Sequence, residues 1–265
     1  MIDENISKTM DMASYAGKIL LQSGADIVRV EDTISHIMTS YGIHDFEVFT
    51  VANGIFLTTG VTERTIDVPK RRDFLRIRSI PLASTNLGKV DAVNSLSRAI
   101  AQGEYKNVDD AFSRLCEIDA MKPQKPYMLM LGSALASMGL AYMFGGSFLD
   151  SAVAFIVGFL FYASVVFLDE KKLSRLLTNI ICSSVMTVIA GIFTGVIGIG
   201  VLDRVLIGCL MPLVPGVSFT NAIRDIAAGN YISGLVRLVD AIVVALGIAI
   251  GVGVTILALK FFGMA

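Results

Sequence analysis

The first 120 residues combine two hydrophobic periods. Apolar residues recur at helical spacing over residues 4–22 and again from about Asp26 to Tyr41, which predicts two amphipathic helices. The period then shortens to two over Phe46–Val51 and Ile55–Thr59. These runs flank Asn53–Gly54, a dipeptide that favours a tight hairpin because both residues tolerate positive φ. Helices are therefore followed by an antiparallel hairpin.

Two further runs have the period of a strand, Arg64–Val68 and Phe74–Ile80, with Pro69–Arg72 predicted to turn the chain between them. Arg76 and Arg78 alternate with apolar neighbours, which is typical of a sheet with one face exposed to water.

Helices are predicted again over residues 87–102 and 108–119, with Asn86 and Asn107 as their N-caps. This part of the chain is expected to form an α+β domain with an antiparallel meander and four helices.

The second half of the chain is strongly apolar. Residues 1–126 contain 32 of the 45 Asp, Glu, Lys and Arg residues, and residues 127–265 contain 13. About 20 apolar residues are needed to cross a bilayer. Five spans are predicted, at roughly 127–145, 148–168, 177–199, 205–223 and 232–260. The expected fold class is an α+β cytosolic domain (1–122) followed by an all-α polytopic membrane domain (127–265) of five transmembrane helices.

Positive charge predicts the orientation of these spans. Basic residues lie before the first span, between spans two and three, and between spans four and five: Lys122, Lys125, Lys171, Lys172, Arg175 and Arg224. Arg204 is the single basic residue in the two opposite loops. The bias favours a multi-pass protein of the cell inner membrane, with a cytosolic N-terminus and the C-terminus outside. The acidic N-terminus makes a cleaved signal peptide unexpected.

Residues 210–240 break the pattern of an ordinary membrane helix. Pro212, Pro215 and Gly216 interrupt the backbone hydrogen-bond ladder, and several polar side chains follow within or near apolar segments. Such groups are costly in a membrane and usually line a pathway or pair with one another. One interpretation is a re-entrant loop with a solvated connector. The other is a broken helix lining a substrate path, with the candidate path residues Pro215, Gly216, Asn221, Arg224, Asp225, Arg237 and Asp240.

Arg237 and Asp240 lie three residues apart, so they share one helical face and can pair. A purely structural pair near a helix end is one interpretation. In the other, the Arg237 guanidinium contacts a substrate carboxylate, and Asp240 orients it or carries a coupling proton.

The sequence gives little support for a catalytic function. His36 and His44 are the two histidines, and neither lies in a nucleophile or metal motif. Arg29, Glu31 and Asp32 form either a solvated helix face or a candidate regulatory face. The three cysteines lack metal or disulfide spacing, and no P-loop motif is present. We expect no enzyme activity, catalytic residue, metal or cofactor, and the net charge of −1 does not favour nucleic acid.

Three runs resemble a known family. They are GADIVRVEDTISHIMTSYGI (24–43), TVANGIFLTT (50–59) and PLVPGVSFTNAIRDIAAGNYISGLVRLVDAI (212–242). The chain resembles the threonine/serine exporter family in its two-component form. The resemblance implies a small membrane partner subunit resembling the second half of fused exporters. It also implies export of a hydroxy amino acid or a C4 dicarboxylate such as succinate.

The expected function is thus a subunit of a secondary-active exporter of small polar metabolites. Its partners would be the second subunit, a small-molecule substrate, the lipid bilayer and, as a further option, other copies of itself. The alternatives are a membrane-anchored enzyme or ligand sensor whose active part is the cytosolic domain, and a scaffold for another transporter. Arg237, Asp240 and the Pro-Gly break favour the exporter, because a simple anchor has no use for them.

Overall fold

The computed structural model describes residues 2–63, 70–80, 86–122, 124–169 and 174–263. The chain divides into two compact units. The first unit comprises Met1–Lys122 and Val217–Leu238, and the second comprises Pro123–Gly216 and Val239–Ala265.

Four helices of the first unit lie where the hydrophobic pattern predicts them. They are α1 (Ile2–Gln22), α2 (Ile27–Ser40), α3 (Leu87–Ala101) and α4 (Val108–Asp119). The predicted caps are confirmed, because Asn86 Oδ1 accepts from Lys89 N at 3.1 Å and Asn107 Oδ1 accepts from Asp109 N at 3.1 Å. Asp26 caps α2 in the same way, accepting from Arg29 N at 2.9 Å.

Helix α1 is the centre of this unit. It packs against α2, α3, α4 and two strands of the sheet. Thr9, Met12 and Ser14 are buried as completely as Met10 and Ala13. Buried hydroxyl groups need partners, and Thr9 and Ser14 donate to the Asn5 and Asp11 carbonyls, respectively. The helix is therefore buried over more than one face, while Glu4, Asn5 and Lys8 near its start are exposed.

The sheet is an antiparallel meander in the order β1-β2-β3, as predicted. Its strands are β1 (Phe46–Val51), β2 (Gly54–Glu63) and β3 (Lys70–Ser79). Two details of the prediction are wrong. The hairpin turn is Ala52–Asn53, because Gly54 already pairs with Val51 and is not among the positive-φ glycines. Residues 70–72 belong to β3 rather than to a turn. The predicted strand Arg64–Val68 lies outside the described residues.

Arg76 and Arg78 of β3 point toward α1. Arg76 contacts the Asp11 carboxylate at 2.6 Å, and Arg78 donates to Ser14 Oγ at 2.8 Å. The apolar neighbours Leu75 and Ile77 are instead exposed. The alternation is therefore present, but it is the side with Leu75 and Ile77 that faces outward.

The remaining helices are α5 (Pro126–Met143), α6 (Phe148–Asp169), α7 (Arg175–Gly191), α8 (Leu202–Leu210), α9 (Gly216–Ala227) and α10 (Tyr231–Phe261). A π-helical turn, Ile192–Val196, extends α7, and a 3₁₀ turn, Met211–Leu213, extends α8. Within the described residues, four helices are long and apolar enough to span a membrane: α5, α6, α10 and α7 with its extension. A fifth candidate is the pair α8 and α9, broken at residues 214–215 as the prolines predict.

Small residues let the helices of the second unit approach closely. A Cβ at Gly251 of α10 would lie 2.5 Å from the Ile180 carbonyl oxygen, and one at Gly158 of α6 would lie 2.5 Å from Ser137 Oγ. Ser184 of α7 also donates to the Gly251 carbonyl at 3.2 Å. A glycine at position 251 thus allows α7 and α10 to pack closely.

Candidate functional site

The turn between α1 and α2 is the centre of a polar cluster in the first unit. Gly24 adopts φ of 84°, a conformation that glycine takes without strain, and Ala25 N bonds to Leu20 O at 3.0 Å. This arrangement ends α1 and starts α2 within a few residues. The carbonyls of Gly24 and Ala25 and the carboxylate of Asp26 all accept side-chain donors here.

Three side chains from α9 and α10 donate to this turn. Asn221 Nδ2 bonds to Gly24 O at 3.0 Å, Arg224 Nη1 to Asp26 Oδ2 at 3.0 Å, and Arg237 Nη2 to Ala25 O at 2.7 Å. The partners are separated by 197 to 212 residues of sequence. We call this turn and these side chains, together with Asp225 and Ile27, the turn cluster.

Asp225 is the most buried charge of the turn cluster, with 0% of its surface exposed. Its Oδ1 accepts from Ile27 N at 3.3 Å, in the first turn of α2, where the helix dipole favours negative charge. Its Oδ2 lies 3.2 Å from Arg237 Nε. That distance is an ion-pair contact, but the N–H is not directed at the oxygen as in a hydrogen bond. The attraction between the two groups is therefore mainly Coulombic.

The turn cluster unites four predicted path residues: Asn221, Arg224, Asp225 and Arg237. Pro215, Gly216 and Asp240 belong to the second unit.

Arg237 has a partner that its helical spacing did not reveal, Asp225 of α9, and Asp240 also has an interaction partner. The donors of Arg237 are directed into the protein, whereas the side chain of Arg224 is 55% exposed. A contact between Arg237 and substrate stays a prediction.

A second feature of the first unit is a cleft of about 570 Å³ along the exposed side of α2. We call it the charged cleft, and its ionisable lining residues are Asp26, Arg29, Asp32, His36, Arg98 and Arg224. Two residues of the predicted regulatory face, Arg29 and Asp32, therefore line it. The third, Glu31, accepts instead from Thr50 N of β1 at 3.0 Å, and burial raises the pKa of its carboxyl group.

The second unit contains a cavity of about 520 Å³ bordered by α5, α6, α7 and the 3₁₀ turn after α8. We call it the membrane cavity. Its walls are mostly apolar, and its polar groups come from Gln124, Ser133, Tyr162, Thr178 and Asn179. Pro212 and Leu213 border it at the helix break. Concave, mainly apolar sites with a few polar groups are typical of small-molecule binding.

Sequence reasoning did not single out Asp150, a buried residue in the first turn of α6. Its carboxylate accepts from Ser147 N at 2.7 Å and from Val201 N at 2.6 Å. It thereby joins the start of α6 to the loop before α8. The spacing Ser147-x-x-Asp150 resembles a capping box and was an available signal.

Asn179 and Thr178 were also missed. Their signal was a polar residue inside an otherwise apolar predicted span.

Among the residues that the structure describes, no group of three or more His, Cys, Asp or Glu side chains could hold a metal ion.

Comparisons with known proteins agree with the apolar helices. A family model described as "Putative threonine/serine exporter" matches residues 11–259. The "Threonine/serine exporter" of Corynebacterium glutamicum is 23% identical over 256 residues, covering 95% of this chain and 51% of that protein. The "Probable threonine/serine exporter" of Mycobacterium tuberculosis is 22% identical, covering 94% of this chain and 46% of that protein.

The chain thus spans about half the length of these relatives. No solved structure gives a significant match. Since the family model covers nearly all of the chain and four helices can span a bilayer, this is a multi-pass membrane protein that belongs to the threonine/serine exporter family.

Proposed function

We propose that this chain is a subunit of a secondary-active exporter of small polar metabolites. The observation that carries the proposal is the membrane cavity, which lies among candidate membrane-spanning helices and adjoins a helix break. Interrupted helices free backbone groups that can bind polar substrates at membrane depth. Family membership supports export as the direction of transport.

The lining of the membrane cavity favours a hydroxy amino acid over a dicarboxylate. Its described residues include hydroxyl and amide groups but no Asp, Glu, Lys or Arg. A dicarboxylate would bring two negative charges into this site without a cation to pair with them, which is costly at low dielectric. Threonine or serine is neutral overall and has a hydroxyl group that Ser133, Thr178 or Asn179 can bind.

We also propose a driving force for transport, a second subunit and a membrane location. The absence of a P-loop motif from the sequence favours an ion gradient over ATP hydrolysis as the driving force. We propose that the part of the relatives beyond the matched half corresponds to a second small membrane subunit. The distribution of Lys and Arg favours the cell inner membrane, with the N-terminus in the cytosol and the C-terminus outside.

The test is efflux of labelled threonine, serine and succinate from liposomes that contain the chain together with its partner subunit. Thr178→Val and Asn179→Leu remove polar groups from the membrane cavity and should lower threonine efflux about tenfold or more. Thr194→Val is the matched control, because its hydroxyl bonds to Ala190 O at 2.9 Å and does not line the cavity. Unchanged threonine efflux in both cavity variants, at equal protein levels, would refute the proposed site.

One observation favours a second candidate function, ligand sensing by the first unit. The charged cleft is a concave surface of suitable size on the domain expected to be cytosolic. Sensing and export are compatible within one protein.

A further inference from the structure

We infer that the charged cleft binds a free α-amino acid and that Arg98 holds its carboxylate while Asp32 holds its ammonium group. The inference stands on the charges and shape of the cleft. That the bound amino acid regulates export rests on the proposed function.

Some charged side chains of the cleft form ion pairs with one another, and others do not. Arg224 and Arg29 both lie near Asp26, at 3.0 Å and 3.7 Å, so these three groups form one ionic network. Among the residues that the structure describes, Arg98 has no acidic partner and Asp32 has no cationic one. Arg98 Nε donates to the Asn94 carbonyl of its own helix at 3.3 Å, which leaves the terminal nitrogens of its guanidinium available. Arg98 and Asp32 are thus a cation and an anion of the cleft without an ion-pair partner among the described residues, and the network of Asp26 with two arginines adds a net charge of +1.

An α-amino acid is the small metabolite that complements this pair. At neutral pH it has one carboxylate and one ammonium group on the same carbon atom. A guanidinium binds a carboxylate through two parallel hydrogen bonds, and a carboxylate side chain accepts from an ammonium group. A dicarboxylate would satisfy Arg98 but would be repelled by Asp32.

The size and remaining lining of the cleft also suit an amino acid. Its volume of about 570 Å³ lies within the range of small-molecule sites. Asn94, Ser97 and Thr33 add polar side chains to its walls. A ligand that spans from α3 to α2 would therefore meet polar groups over most of its length.

Arg224 gives the cleft a connection to the turn cluster. It lines the cleft, and it is the α9 residue that bonds to Asp26. The Arg224 guanidinium is exposed in the cleft, so any polar group of the ligand that reaches it competes with Asp26 for it. Occupancy of the cleft would therefore weaken one of the bonds between α9 and the α1–α2 turn, which is a direct physical route to regulation.

The experiment is isothermal titration calorimetry of the full chain in lipid nanodiscs. The probes are L-threonine, L-threonine methyl ester, N-acetyl-L-threonine and succinate. L-Threonine should bind at least tenfold more tightly than the ester, which lacks the carboxylate, and than the acetyl derivative, which lacks the ammonium group. Succinate binding as tight as that of L-threonine would overturn the inference.

Variants locate the site. Arg98→Gln and Asp32→Asn should each weaken L-threonine binding about tenfold or more. Arg114→Gln and Asp110→Asn, which change the same residue types on exposed positions of α4, should leave it unchanged. Normal affinity in both cleft variants would overturn the inference.

Failure of this inference is distinguishable from failure of the proposed function. In the Asn179→Leu variant, whose change lies in the membrane cavity, the cleft should still bind L-threonine. Binding that is lost in Asn179→Leu and kept in Arg98→Gln would refute the cleft and leave the exporter intact. Binding that follows the cleft residues, without threonine efflux from liposomes, would refute the exporter and leave the cleft.

Discussion

Replacing Arg237 by alanine would leave the carboxylate of Asp225 buried without its ion-pair partner. Asp225 has 0% of its surface exposed, and the side chain of Arg237 is 10% exposed, so the carboxylate has little access to bulk water. The remaining donor to Asp225 is the backbone N–H of Ile27 at 3.3 Å. Arg237→Ala also removes the bond to the Ala25 carbonyl. The substitution should therefore destabilise the first unit strongly.

The size of the effect follows from the burial. Removing one partner of a buried ion pair costs about 3–5 kcal/mol, because an uncompensated charge stays in the interior. For a unit of this size, that loss lowers the unfolding midpoint by about 10 °C or more. In the double variant Arg237→Ala, Asp225→Ala, no charge is left buried. Only the lost bonds to Ala25 and Ile27 remain, so its destabilisation should be about 1–2 kcal/mol.

The assay is thermal unfolding of the purified variants in one detergent, arranged as a double-mutant cycle. Arg224→Ala is the matched control, since Arg224 is 55% exposed and its buried partner Asp26 keeps the Arg29 backbone N–H and guanidinium, so the loss should be only about 1 kcal/mol. Additive losses in the double variant, or an Arg237→Ala protein as stable as the wild type, would refute the reasoning that Asp225 depends on Arg237.

Three further predictions use the same unfolding assay. Gly234→Ala should cost about 1–3 kcal/mol, because its Cβ would lie 2.9 Å from a carbonyl oxygen of α9, whereas Gly253→Ala, with open space around it, should not destabilise. Burial raises the pKa of Glu31 above its ordinary value of 4.5, so its ionisation destabilises the fold as pH rises. Glu31→Gln should match the wild type at low pH and exceed its stability progressively above pH 4.5; a constant difference would contradict this. Asp150→Ala should cost about 1–3 kcal/mol by leaving backbone N–H groups unpaired, and exposed Asp203→Ala should cost much less.

The local pattern of apolar and capping residues was sufficient to predict where the helices of the first unit lie. Spacing of apolar residues over 4–22 and 87–102, with asparagine at the start of α3 and α4, places these helices to within a few residues of their observed ends. The break at Pro212 and Pro215 was equally local, since proline lacks the N–H that a helix needs. These features depend on neighbours within about four residues, which a single sequence displays directly.

The faces of β3 show where local pattern stops. Alternation indicates that the two sides of a strand differ, but not which of them meets the rest of the domain. Asp11, Ser7 and Ser14 of α1 supply partners for Arg76 and Arg78, and these partners lie 64 to 69 residues away. The arginine side therefore packs inward because of groups that the strand itself does not contain.

The turn cluster also depends on partners that are distant in the sequence. The sequence by itself determined that Asn221, Arg224, Asp225 and Arg237 are polar groups in an unusual place, and that Arg237 needs a partner. Helical spacing suggested Asp240 as that partner. The tertiary structure adds Asp225 of another helix beside Arg237, and the carbonyls of Gly24 and Ala25 beside Asn221 and Arg237. Every residue has a backbone carbonyl, so the sequence does not mark those of Gly24 and Ala25 as hydrogen-bond acceptors. These carbonyls also lie about 200 residues away from the side chains that bind them. Only the folded chain could bring them together, because ion pairs and hydrogen bonds depend on distances in space and not on separation along the sequence.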